Sequence, residues 1–262
     1  NVAVGYGSLT SDDLGSKSVA LGHSTLAVQN YATATDSLNT AVGHSAGAAV
    51  TVGIQNTFIG AHSGDAVTDA DFNVAVGTYS LTDNTLGSFS VAVGWGALFA
   101  QNPATATNMY NTAVGHSAGG AVTTGVQNTL VGGLSGDALT VGTSNVALGY
   151  NALTTDVKGD TSVAIGVSAL LSQNFTTATN SFNTAVGFEA GYGITTATEN
   201  TLIGARAGDA LTVGNSNVVV GYEALSGDTK GDRNVAIGRA ALQVQNFTTT
   251  TDAYNTAVGY AA

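Results

Sequence analysis

Asn39-Thr40-Ala41-Val42-Gly43 is followed seventeen residues on by Asn56-Thr57-Phe58-Ile59-Gly60. The same five-residue phrase opens the chain as Asn1-Val2-Ala3-Val4-Gly5 and closes it as Asn255-Thr256-Ala257-Val258-Gly259. It occurs fifteen times. Its glycines (Gly5, Gly22, Gly43, Gly60, Gly77) are spaced 17, 21, 17 and 17 residues apart, and that series repeats to give a superperiod of 72: Gly5, Gly77, Gly149, Gly221. A fixed short period is the signature of stacked structural units, each contacting only its neighbours. The expected fold is therefore all-β: a parallel β-roll or β-solenoid of about 15 stacked coils. The repeat runs through residues 1–262 as a single module, read as a segment of a longer fibre.

Composition fits such a stack. The chain has 262 residues with 35 Gly, one Pro and 9% charged residues. Disordered chains carry more charge and fewer aliphatic residues. Collagen needs Gly at every third position. No segment sustains a 3.6-residue apolar period, so helices are not expected. There is no cysteine, so no disulfide framework is needed. No apolar run approaches the ~20 residues of a membrane helix, and membrane insertion is not expected. The net charge of −11 comes with only six basic residues (Lys17, Lys158, Arg206, Lys230, Arg233, Arg239), which form no cluster along the chain. Nucleic acid and anionic membranes need clustered Lys and Arg, so neither is an expected partner.

Within the phrase, position one is Asn in twelve repeats and Ser in three (Ser18, Ser90, Ser162). A column of Asn is expected to be structural, bonding nearby backbone and forming a ladder between coils. Position two is Val or Thr, and position four is always Val, Ile or Leu. Side chains two apart in a strand share a face. The aliphatic pair is expected to face the coil interior, placing Val4, Val76, Ile165 and Ile237 in the core. Position three is Ala in eleven repeats, with Phe58, Leu130, Leu202 and Val219 as exceptions. On this reading Ala3, Ala20, Ala41 and Ala75 face outward, where small side chains permit close approach of another chain. Phe58, Leu130 and Leu202 would be plugs at that contact. A second, tighter strand or corner is expected after each glycine, around an Ala, Ser or Thr three residues on, followed by Leu, Leu, Gly, Gly in turn (Leu9, Leu26, Gly47, Gly64). The four-residue insertion in every fourth coil, starting near Gln29, Gln101, Gln173 and Gln245, is expected to bulge from the stack.

The phrase resembles the head repeats of trimeric autotransporter adhesins, through Ser162-Val163-Ala164-Ile165-Gly166 above all. The longer form, Asn-Thr-Ala-Val-Gly followed by an Ala-Leu or Ala-Gly pair, is similar to repeats in phage tail-fibre proteins. The resemblance covers the whole chain. It implies a left-handed roll, a homotrimer assembling into longer fibres, a place on a cell or virion surface, and a role in attachment. The spacings of 17 and 21 residues are longer than the usual adhesin coil.

No catalytic, cofactor-binding or metal-binding residues are expected. Asp65, Asp137 and Asp209 recur 72 residues apart. Four coils separate them by about 19 Å at strand spacing, too far for paired acid–base work. They read as turn residues. His23, His44, His62 and His116 do not recur through the superperiods, as repeated metal ligands should. No phosphate loop or nucleophile elbow is present, so the chain is not expected to be an enzyme. The residue after each glycine varies most (Tyr6, His23, His44, Ala61, Thr78, Trp95), and outward aromatics there could stack on sugars. Asn174-Phe175-Thr176 and Asn246-Phe247-Thr248 match glycan-acceptor sequons. The expected function is a stiff structural spacer in an extracellular fibre. The alternatives are a glycan- or receptor-binding solenoid and a monomeric ice-binding solenoid. The last would need a regular Thr array on an outer face.

Overall fold

A computed structural model describes all 262 residues. The chain is a parallel β-solenoid of fifteen turns with no helix. It divides into two compact units, Asn1–Asn128 and Thr129–Ala262.

In the first unit the phrase forms seven three-residue strands: Val2–Val4, Val19–Leu21, Thr40–Val42, Thr57–Ile59, Val74–Val76, Val91–Val93 and Thr112–Val114. The second unit has eight: Thr129–Val131, Val146–Leu148, Val163–Ile165, Thr184–Val186, Thr201–Ile203, Val218–Val220, Val235–Ile237 and Thr256–Val258. Within each unit consecutive strands pair in parallel, and each phrase position pairs with itself: Ala41 with Phe58, Phe58 with Ala75, Ala185 with Leu202. The 17/21 spacing therefore sets the register. The extra four residues of the longer coils are looped out before the next strand begins.

The interior is the opposite of the expected one. Ala20, Ala41, Ala75, Ala92, Ala113, Ala147, Ala164, Ala185 and Ala236 are completely buried, as are Phe58, Leu130, Leu202 and Val219. No residue of position two or four is buried; Val4 is 55% exposed and Ile237 38%, while Val76 and Ile165 are half-buried. Position three points into the coil and positions two and four point out. The coil is too narrow for a β-branched residue on every rung of the interior, so Ala fills it. Its larger members are accommodated by glycine elsewhere. Phe58 lies between Gly47 and Gly64, where an added Cβ would stand 2.8 Å from Cδ2 and 2.5 Å from Cδ1 of the ring respectively. In the second unit Gly136 makes the same room for Leu130, and Gly191 and Gly208 for Leu202. The same column carries the buried Leu26, Leu81, Leu98, Leu153 and Leu170 in coils whose position three is Ala, and Leu225 beside Val219; the coils of Ala41, Ala113 and Ala185 carry Gly47, Gly119 and Gly191 there. No coil sets Phe or Leu at position three against Leu in the second column, and the glycines of that column make room for Phe58, Leu130 and Leu202, as close packing demands.

The glycine that ends each phrase is fixed by contact with the next coil. Gly60 has φ +133°, and a Cβ there would lie 2.7 Å from both the carbonyl carbon and oxygen of Gly77. After the glycine the chain forms the corner and not a second strand. That segment is a run of turns with left-handed residues two and four positions on, such as Ser24 (φ 53°) and Leu26 (φ 47°). Coil-to-coil bonds replace strand pairing: Ser24 N–H donates to Tyr6 O at 2.8 Å and Leu26 N–H to Ala46 O at 3.2 Å. A second parallel ladder forms only beside the insertions, as Gly15–Ser16 with Thr35–Asp36 and Gly87–Ser88 with Thr107–Asn108 in the first unit. Gly159–Asp160 with Thr179–Asn180, and Gly231–Asp232 with Thr251–Asp252, repeat it in the second. The insertions expose their tips but are anchored. Tyr31 is 5% exposed and its hydroxyl donates to Gly53 O at 2.8 Å; Phe175 is 5% exposed and Pro103 is buried. Burial pushes the Tyr31 phenol up to about 12.

The Asn column is the polar spine of each unit. Asn56 N–H donates to Asn39 Oδ1 at 2.9 Å, its Nδ2 donates to Ala70 O at 2.8 Å, and its Oδ1 accepts from Asn73 N–H at 2.9 Å. Asn183, Asn200, Asn217 and Asn234 repeat the pattern in the second unit. Each of these side chains uses both donor and acceptor, so its amide is buried at no cost in unpaired groups. Beside it lies a buried cluster that the repeat phrase does not reveal. Asp156 accepts from Gly159 N–H (2.9 Å), Gln173 Nε2 (2.6 Å) and Phe175 N–H (3.2 Å), and Asn183 Nδ2 donates to Gln173 Oε1 (2.8 Å). Asp12, Gln29 and Asn39 form the corresponding links in the first unit.

Candidate interaction surfaces

Three exposed features can meet another molecule. The first is the outer sheet face. It presents two side chains per rung, from positions two and four: Val or Thr, and Val, Ile or Leu. In the first unit Val2, Val4, Val19, Leu21, Ile59 and Val114 are between 36% and 55% exposed. In the second, Leu148, Ile203, Val218, Ile237 and Val258 are between 38% and 67% exposed. None of these positions is charged in any rung. Contiguous apolar area of this kind marks an interaction site on soluble proteins.

The second feature is a column of rings on the first unit. Tyr6, His23, His44, His62 and Tyr79 follow one another on successive coils, with ring centroids 5.1–5.4 Å apart. Trp95 meets Tyr79 edge-on at 6.4 Å and stacks on His116 at 4.9 Å. All four histidines of the chain stand in this column. The sequence treats them as isolated surface residues, and their nearness comes from the coil register. No group of three or more His, Cys, Asp or Glu is arranged to hold an ion. His23 and His44 are within 11° of parallel, so their ring nitrogens point alongside one another and do not converge. His62 Nδ1 is 2.9 Å from Asp65 Oδ2. A shorter stack, Phe72–Phe89–Tyr110, occupies another edge with centroids 4.8 and 5.3 Å apart. Along most of both stacks a neighbouring ring covers the ring face, although His62 is tilted 60° to His44 and Trp95 is edge-on to Tyr79. A sugar stacks on an open face, so these columns offer edges where a glycan platform needs faces.

The third feature is charge. In the second unit Arg206 bridges Glu189 at 3.0 Å and Glu223 at 3.9 Å on the flanking coils, and the Glu189 hydrogen bond raises its pKa further. Arg239 lies over Tyr222 and Tyr260 at 5.7 and 5.3 Å, and Arg233 pairs with Asp252. In the first unit Lys17 meets Asp36 at 2.6 Å, and that bond holds the Asp36 carboxyl below its usual range. Such exposed pairs each add little. Asp65, Asp137 and Asp209 are half-buried, and each keeps one carboxylate oxygen buried without a partner. Burial raises the pKa of Asp137 and Asp209. A cavity of about 330 Å³ lies on the last turns of the second unit, lined by Leu242, Val244, Gln245 and Ala262 among others. It carries no titratable group.

No protein-family model, no curated protein and no solved structure matches the chain. No helix is long and apolar enough to cross a membrane.

Proposed function

We propose that this chain is a structural segment of an extracellular fibre, an adhesin or viral tail-fibre shaft on a cell or virion surface. Three copies associate side by side, and the assembly acts as a stiff spacer in attachment. The observation that carries the reading is the outer sheet face: two uncharged, mostly aliphatic side chains per rung, repeated along seven rungs of one unit and eight of the other. A second chain buries that area at about 25 cal/mol per Å². The Ala column, which the sequence suggested as the contact, is inside the coil and has no part in it. The test is a charge on the face. Val42→Asp with Val114→Asp places carboxylates where the partner chain packs, and the mass in solution should fall to that of one chain while the fold persists. A double variant that keeps the wild-type mass overturns the reading.

One observation favours a second reading. Thr40, Thr57, Thr112 and their equivalents point outward, which removes the main objection to a monomeric ice-binding solenoid. The face remains predominantly aliphatic, and its hydroxyls come in pairs of rungs separated by pairs of Val rungs. A single-chain mass together with thermal hysteresis in freezing solution would establish this reading in place of the fibre. Glycan binding is weaker for the first unit, where most ring faces of its columns are stacked on one another.

A further inference from the structure

Position two of the outer face has an order of its own. In the first unit the rungs run Val2, Val19, Thr40, Thr57, Val74, Val91, Thr112. In the second they run Thr129, Val146, Val163, Thr184, Thr201, Val218, Val235, Thr256. Two Val rungs alternate with two Thr rungs throughout each unit. Position four shows no such order, being aliphatic in every rung. The Thr hydroxyls of this column have no acceptor within the chain, unlike Thr68, whose hydroxyl donates to Thr85 O at 3.1 Å on the next coil. The column is thus a band code of apolar and hydroxyl pairs on an otherwise uniform surface.

We propose that this banding fixes the axial register in which copies of the chain associate. The inference rests on the fibre reading above. A face of Val, Ile and Leu alone would be nearly indifferent to sliding by one coil, because each rung presents the same side chains to its partner. The band code removes that indifference. In register, Thr40 and Thr57 meet their own counterparts, and hydroxyls can pair across the contact as both donor and acceptor. A slip of two rungs sets every Thr of the overlapping region against Val. Each hydroxyl is then buried without a partner, and each Val loses an apolar neighbour. A slip of four rungs restores the match but leaves four rungs of each chain uncovered. The partner is a second copy because the surface carries no charge for another class of ligand to read, and because only the same sequence repeats the two-and-two pattern at the same spacing.

The chain has no cysteine, so single thiols report register directly. Val42 and Val76 lie two rungs apart on the outward face, through Ile59. Val42→Cys and Val76→Cys chains, one of them carrying a size tag, are refolded together and treated with a short thiol–thiol crosslinker. Like thiols should join, and the unlike pair should join about tenfold less or lower still. Replacing the seven Thr of position two by Val should bring the unlike product up to the level of the like product. Replacing all eight Val of position two by Thr should erase the code from the other side, which guards against a poorly soluble all-Val face. Equal like and unlike yields on the native face would overturn the proposal, as would a seven-Val face that holds register as strictly as the native one. Absence of any crosslink with a single-chain mass would instead overturn the association on which it rests, so the two failures are separable.

Discussion

Phe58→Ala tests the packing most sharply, because the structure dictates both its cost and its cure. Phe58 is completely buried, and the positions against its ring, Gly47 and Gly64, have no side chain to fill the space it leaves. Neither glycine can relax into the space, so the loss should fall within the ~3–5 kcal/mol for Phe→Ala. Gly64→Leu alone should also be damaging, since its Cβ would stand 2.5 Å from the Phe58 ring. The pair Phe58→Ala, Gly64→Leu recreates the arrangement of the next coil, in which Ala75 faces Leu81. The backbone already permits it: Gly64 has φ +55° and Leu81 has φ 55°. The double variant should return to within ~1.5 kcal/mol of wild type, with a coupling energy of at least ~2 kcal/mol. Denaturant unfolding of the four proteins gives the cycle. Additive losses would refute complementary packing of the two columns.

Gly60→Ala meets both a φ of +133° and the Gly77 carbonyl, and should cost several kcal/mol by the same assay, at least ~1–3 of it backbone strain. Asn56→Ala leaves the Asn73 N–H and the Ala70 carbonyl buried without partners; about 1–3 kcal/mol per group is expected, with amide exchange accelerated in the flanking coils. Ala41→Asp puts a carboxylate in the coil interior and should unfold the surrounding coils, giving loss of the β-type circular dichroism signal where an interface residue would give only a lower mass. Burial raises the folded-state pKa of Asp137 and Asp209, so the folded chain holds more protons there than the unfolded chain. The stability contributed by these groups therefore falls as pH rises from the unfolded carboxylate range through the raised folded values. Asp137→Asn with Asp209→Asn should raise stability at neutral pH and flatten that slope; an unchanged pH profile would contradict the burial effect.

The glycine spacing of 17, 21, 17 and 17 was enough to read the solenoid, its parallel register and its number of turns, because stacking makes sequence period and structural period the same thing. The Asn ladder was legible for a similar reason: one buried polar residue per coil needs a partner in the next. The facing of the strand was not. Period two separates two sets of side chains but does not say which is inside, and here both are apolar. Hydrophobicity favours Val and Ile over Ala for the core, whereas the width of the coil favours Ala. A signal was present in the sequence: Phe58, Leu130 and Leu202 coincide with Gly64, Gly136 and Gly208, and such exchange of volume between columns means that both face one cavity. The histidine column and the Asp156–Gln173–Asn183 cluster join residues on different coils, and become visible only once those coils are superposed. The segment after Gly resolved as the corner and not the strand because it uses left-handed residues such as Leu26 and Leu81, a conformation that side-chain type does not announce for Leu.

The mass of the native particle in solution, by light scattering or native mass spectrometry, tests the central claim most directly. The account predicts three times the 25.9 kDa of one chain, in a particle that falls to one chain when Val42 and Val114 are both replaced by Asp. A stable, folded particle of 25.9 kDa from the unaltered chain would contradict it.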